Sequence, residues 1–354
     1  MTFTATAGNT GGGTVTYDFK VNGGSVQSGA SDMYTTTSLA NGEAVTCEIT
    51  VTGGTCLTSA TATSNTITMT VNPNLTPTVS IAAVPSGAIC AGTSVTFTAT
   101  AGNTGGGTIN YDFKVNGGSV QSSGSNTYAT TTLANGDLVT CEITVTGGTC
   151  LTSATATSNT ITMTVNPNLT PTVSIAAVPS GAICAGTSVT FTATAGNTGG
   201  GTINYDFKVN GGSVQSGASD TYTTTGLANG DAVTCDISIA GGVCLTSSTA
   251  SSNTITMSVI PSQTPTVSIA IFPSSTICEG TPVTFTATAG GTGGGTVTYT
   301  FKINGGSVQS GASNTYATTS LVNGDLVTCD ISVSGGTCLT SSTASSNTIT
   351  MTVN

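Results

Sequence analysis

Along residues 95–100, Val95, Phe97 and Ala99 alternate with Thr96, Thr98 and Thr100. A period of two describes a strand with one face in a core and one in water, and the threonines take the water face. The alternation returns at Ile109, Tyr111, Phe113 and Val115, and again at Val139, Cys141, Ile143 and Val145. Val79 and Ile81 begin a further strand that breaks at Pro85 to Gly87, and Tyr128 among β-branched neighbours marks another. Asn116-Gly117 predicts a turn with positive φ, and ANGD at 134–137 a second turn. SVQSSGS (119–125) reads as a short edge strand or loop, TCLTSATATS (149–158) as a loop, and NTITMTV (159–165) as the last strand. No helical period occurs.

This pattern is a repeat. TFTATAGNTGGGT starts at Thr2, Thr96 and Thr190, and TFTATAGGTGGGT starts at Thr284, a constant spacing of 94 residues. One unit therefore explains the chain. The spacing predicts four domains: 1–72, 73–166, 167–260 and 261–354, the first lacking its opening strand. Seven short strands with turn signals between them predict an all-β fold, a tandem array of immunoglobulin-like β-sandwiches. In immunoglobulin lettering the strands are A, B, C, C′, E, F and G. Phe113 on strand C stands where antibody domains carry Trp. Met1 falls where the other units have Val95, Val189 and Val283, in mid-strand, which predicts a fragment of a longer repeat protein with an upstream export signal.

Charge narrows the function. Four Lys+Arg stand against 14 Asp+Glu, a net charge of −10, which disfavours nucleic acid and anionic membranes as partners. No apolar run is long enough to span a bilayer as a helix, so no membrane insertion is expected. The chain has no His, Arg or Trp, which removes the commonest general base and nitrogen metal ligand. No catalytic, cofactor-binding or metal-binding residue is predicted, and the chain is not expected to be an enzyme. The four positive charges, Lys20, Lys114, Lys208 and Lys302, face acidic partners Glu48, Glu142, Asp236 and Asp330 if strands C and F are neighbours with their aromatic and cysteine positions turned inward. GNTGGG (102–107) lacks a following helix and Lys in phosphate-loop register, and reads as a B–C loop. Asp137, with Glu43, Asp231 and Asp325 in the other units, reads as a turn cap: one carboxylate per turn is too few for calcium.

The combination of CAGTSVTFTAT (90–100), the strand Tyr111 to Gly117, LANGDLVTC (133–141) and SNTITMTV (158–165) resembles the Ig/PKD-like repeats of large secreted Bacteroidota surface proteins, including gliding-associated adhesins. The resemblance covers all four units. It implies an exported protein at the cell surface that serves as stalk, adhesin or filament, and it supplies no catalytic residue.

Eleven cysteines fall in three classes. Cys90, Cys184 and Cys278 precede strand B; Cys56, Cys150, Cys244 and Cys338 lie in the F–G loop; Cys47, Cys141, Cys235 and Cys329 lie in strand F. The first two classes are the disulfide candidates of an exported protein, and the third reads as core thiols. A B–F bridge is excluded because Ala99 faces Cys141. Cys90 and Cys150 lie at opposite ends of one sandwich, beyond the ~5–6 Å Cα separation of a disulfide. Two arrangements stay open: Cys90 with Cys141, or the A–B end of one domain with the F–G loop of the next, which pairs Cys90 with Cys244 and Cys184 with Cys338 and leaves Cys278 for the F–G loop of another copy.

The expected function is structural: an extracellular rod or filament whose domains, at ~3.3 Å per strand residue, add to roughly 150 Å, with self-association end to end or laterally. The alternative is an adhesin stalk whose GNTGGG and TCLTSATATS loops contact surface glycans or proteins.

Overall fold

The computed structural model describes residues 1–354. The chain forms two compact units, Met1–Asn166 and Pro167–Asn354, each holding two copies of one β-sandwich. There is no helix.

The copy at 73–166 serves for all. Strand A (Thr78–Val84), strand B (Val95–Gly102) and strand E (Thr127–Thr130) form one sheet in the order E-B-A. Strand C′ (Gly118–Ser123), strand C (Thr108–Val115) and strand F (Leu138–Thr146) form the other, with pieces of strand G beyond F. The facing residues are those of the period-two pattern: Val95, Phe97, Phe113, Val139, Cys141 and Ile143 are fully buried. Tyr128 lies across Phe97 and Phe113, with ring centroids 6.1 and 5.7 Å apart, so strand E closes the core that a Trp on strand C would fill. Asn116 and Gly117, at φ 53° and 80°, turn strand C directly into C′, which settles SVQSSGS as an edge strand.

Lys114 sits on the outer face of strand C. Its direct neighbour across the sheet is Thr140, while Asp112 stands opposite Glu142. The ammonium reaches diagonally to Glu142 at 2.5 Å and also lies 3.5 Å from Asp112, so one cation separates two carboxylates that would otherwise repel. Lys20 and Lys208 contact Glu48 and Asp236 in the same way, with Asp18 and Asp206 as second carboxylates, whereas Lys302 contacts Asp330 with Thr300 in the second position.

Strand G differs from the sequence expectation. It starts earlier, at Thr155–Thr157, breaks, returns at Ile161–Thr162, and ends as Thr164–Asn166. The last piece leaves strand F and pairs in parallel with a short strand A′ (Ala88–Cys90). The break has a physical cause in two polar side chains. Ser158 Oγ accepts the Cys141 amide at 2.9 Å, replacing a ladder bond, and the Asn159 side chain crosses to strand A.

The first copy has no strand A or A′, and its strand B shrinks to Thr2–Thr4. In the other copies the second half of strand B pairs with strand A, as Ala99 does with Ile81 and Ala101 with Val79. Without that partner, residues 5–8 are not strand.

Candidate functional site

The cysteines before strand B and in the F–G loops are placed by the two ends of the sandwich. Strand A′ of the third copy (Ala182–Cys184) runs parallel to Ser258–Ile260, with Cys184 opposite Ile260. Ala185 N donates to Ile260 O at 3.0 Å. Cys184 is thereby fixed beside the point where the chain leaves this copy.

Cys338 is fixed beside the point where the chain enters the next. Gln263 N donates to Cys338 O at 2.7 Å, and Thr340 N donates to Gln263 O at 2.8 Å. The hydroxyls of Thr264 and Thr340 add a contact of 2.9 Å. The linker is thus one short parallel bridge laid on the F–G loop. Ile260 and Gln263 are three positions apart, so exit and entry are close, and the two cysteines meet. Cys184 and Cys338 form a disulfide with a Cα separation of 5.3 Å across 154 residues of sequence. Cys90 and Cys244 are each disulfide-bonded.

The B–C loop supports this arrangement. Gly293 O accepts the Thr337 amide at 3.0 Å and the Thr337 hydroxyl at 3.1 Å. At φ +55°, a Cβ on Gly293 would lie 2.3 Å from Thr337 O, and one on Gly295 would lie 2.6 Å from Val333 Cγ1. The glycines therefore allow backbone contact with the F–G loop. Cys338 itself has φ 57°, and Cys56, Cys150 and Cys244 have φ of 59°, 56° and 57°. A left-handed conformation is unfavourable for a residue with a Cβ. Cys56 keeps this conformation with no linker bond to its carbonyl, so the F–G turn itself sets it.

Cys141 is a free thiol in the core, which removes the Cys90 to Cys141 alternative. Burial pushes the thiols of Cys141, Cys235 and Cys329 up to about 11, and burial raises Cys47 as well. At neutral pH these are thiols rather than thiolates, the opposite of an activated nucleophile. Cys56, Cys150 and Cys278 are free and exposed. They are the ones whose counterpart at the 154-residue spacing of the Cys184 bond falls outside residues 1–354.

The acidic turn is a cap. Asp137 Oδ2 accepts the Ala134 amide at 2.8 Å and Oδ1 accepts Asn116 Nδ2 at 2.8 Å. The backbone bond and then the Asn116 bond hold the carboxyl of Asp137 below the usual range, and Ala228 and Asn210 do the same for Asp231. Asn135 Oδ1 accepts the Val165 amide at 3.0 Å, so both polar residues of ANGD serve the fold.

No protein-family model matches the chain, and no curated protein matches it in sequence. Several solved structures are similar to it. The fibronectin(III)-like modules of Clostridium thermocellum CbhA share 18% identity over 52% of this chain and 93% of their own, with a TM-score of 0.23. Three N-terminal domains of the bacteriophage RB49 Highly Immunogenic Outer Capsid protein share 13% over 78% and 99%, with a TM-score of 0.29. A Bacteroides ovatus mixed-linkage glucan utilization protein, SGBP-B, solved in complex with a mixed-linkage heptasaccharide, shares 13% over 75% and 65%, with a TM-score of 0.18. Similarity at this level carries no ligand or activity across.

Proposed function

We propose that the chain is a structural repeat protein of the extracellular surface, four immunoglobulin-like domains (1–72, 73–166, 167–260, 261–354) that form a stiff rod or filament with no catalytic role. The observation that supports this reading is the Cys184 to Cys338 bond, which joins the third repeat to the fourth as a second attachment beside the linker, itself laid on the fourth repeat's F–G loop by the Gln263 bridge. Two attachments restrict a joint that one flexible linker would leave free. Disulfides of this kind persist in oxidising surroundings, in keeping with an exported protein. Side chains that would do chemistry are spent on the fold: the turn carboxylates cap, the lysines bridge strands, and the strand F thiols are buried.

The adhesin-stalk alternative, with loops contacting glycans or proteins, has less support. The B–C and F–G loops bind one another and the linker, and the strand B and strand C phenylalanines are buried with a stacked tyrosine between them. Sugar sites ordinarily present such rings to solvent.

Electron microscopy of the protein with and without reductant tests the proposal. Straight rods or filaments that become flexible on reduction are expected. Particles equally flexible in both conditions would contradict it.

A further inference from the structure

The two outer faces of each sandwich differ in charge. On the sheet of strands C′, C, F and G, the second copy carries Asp112, Lys114 and Glu142, and Asp137 caps the turn into strand F. On the sheet of strands E, B and A, strand A turns Ser80, Ala82 and Val84 outward, and strand B turns Thr96, Thr98 and Thr100 outward. No strand residue of this second face is charged. The third and fourth copies repeat it, with Ser174, Ala176 and Val178 and with Ser268, Ala270 and Phe272 on strand A. The strand ends on one apolar side chain per copy: Val84, Val178 and Phe272 are 70%, 71% and 76% exposed, more than any other large hydrophobic residue of the chain. Strand propensity is met by the threonines that fill the rest of the face, so it does not account for an apolar residue there. Beside this residue, where strand A gives way to A′, a cleft of ≈ 200 Å³ is lined by Pro85 and Ile161 in the second copy, and one of ≈ 310 Å³ by Pro179 and Ile255 in the third.

We infer that this uncharged face is a lateral contact surface, and that its partner is the same face on a second copy of the chain. Charge selects the partner. At a net charge of −10, two copies repel wherever their carboxylates approach, and the E-B-A faces are where two chains meet with no strand charge on either side. Sheets packed face to face lie ~10 Å apart with their side chains interdigitated. Ser, Thr and Ala are small enough to pack in this way, and Val84, Val178 or Phe272 then reaches the cleft beside the opposing copy's own apolar residue. Knob and cleft on one surface make it self-complementary, as a two-fold contact requires.

The size of the face sets how the contact works. Three strands ~4.8 Å apart and ~25 Å long cover roughly 300–400 Å², below the ~800 Å² a side of a standard stable interface. One face alone is therefore weak, and association gains strength from repetition through multivalency. The inference rests on the proposed structural role for its place in a filament, but pairing of the faces does not need the disulfide at the joint.

The test is sedimentation velocity of chain 1–354 over a concentration series, with the exposed thiols of Cys56, Cys150 and Cys278 alkylated so that no association is disulfide-linked. The unaltered chain is expected to shift from monomer to larger species with concentration, and more readily in higher salt, which screens the carboxylates. Val178→Asp alone weakens association at least about tenfold, and the triple variant Val84→Asp, Val178→Asp, Phe272→Asp stays monomeric. These side chains stand in solvent, so the fold is expected to hold, which retention of the Cys184 to Cys338 bond reports. Val120→Asp, Val214→Asp and Val308→Asp together add the same three charges on strand C′, where the valines are also exposed, and leave association unchanged. Three results would overturn the inference: a chain monomeric throughout, association that the strand C′ set abolishes as fully, or association that survives the strand A triple. Retention of a monomeric chain on insoluble cellulose, lost in the strand A triple, would assign the face to a polysaccharide and equally overturn it. Flexible particles in the electron microscope with association intact would fail the rod alone, and straight monomers would fail the face alone.

Discussion

The side-chain amide of Asn159 holds the backbone of Ile81 on both sides, accepting its N–H at 2.8 Å and donating to its carbonyl at 3.2 Å. A residue between two pieces of strand G thus acts as a neighbouring strand for strand A in the opposite sheet. Asn159→Ala leaves both groups unpaired at a partly buried site, at a cost of about 1–3 kcal/mol. Amide exchange at Ile81 is expected to accelerate while exchange at Ile175 and Ile269 stays unchanged. Uniform acceleration at all three would contradict a local clamp.

Much of this architecture is legible in the sequence because a period of two has one structural meaning. Val95, Phe97, Phe113, Val139 and Cys141 are core by alternation alone, and Asn116-Gly117 declares its own turn. Asn159 gives no such signal. Its role depends on a partner 78 positions away in the other sheet, and NTITMTV reads as an unbroken strand without it. The left-handed Cys338 is equally silent, because its conformation belongs to the F–G turn, which Cys56 shares with no linker bonded to it, rather than to its own residue type. The exposed Cys56, Cys150 and Cys278 differ from their paired counterparts in position along the array, not in local sequence.

Gly293 and Gly294 separate close approach from conformational freedom. Both have positive φ, but a Cβ on Gly294 meets nothing within 4 Å. Gly294→Ala is expected to cost about 1–2 kcal/mol from backbone strain. Gly293→Ala adds a clash with Thr337 O, and so is expected to be the more destabilising and to slow recovery of the Cys184 to Cys338 bond in oxidative refolding. Equal effects from the two would place the clash elsewhere.

The turn carboxylates set a lower pH limit. The folded carboxyls of Asp137 and Asp231 are held below the ordinary value, so their contribution is fully present above the unfolded value of about 3.9 and is lost as pH falls through the folded one. The amide resonances of Ala134 and Ala228 are expected to titrate with midpoints below about 3.9, and Asp137→Asn should remove the Ala134 titration. A midpoint above that value would show that the caps are not formed.

Thiol reactivity divides the cysteines. At pH 8, Cys56, Cys150 and Cys278 are expected to alkylate readily. Cys141, Cys235 and Cys329, with values of about 11, present roughly a hundredfold less thiolate than an ordinary cysteine and are sterically enclosed. Cys47 belongs with them by burial. Labelling by iodoacetamide before and after denaturation, read by mass spectrometry, should give three sites and then seven. Rapid native labelling in strand F would contradict the core assignment.

The most direct test of the central claim is peptide mapping of protein purified without reductant. Trypsin cuts only after Lys20, Lys114, Lys208 and Lys302, so a bond from Cys184 to Cys338 joins residues 115–208 to residues 303–354. The account predicts this linked pair, its loss on reduction, and its absence in Cys338→Ser. Recovery of Cys184 as a free thiol, or joined to Cys235 within its own repeat, would contradict it.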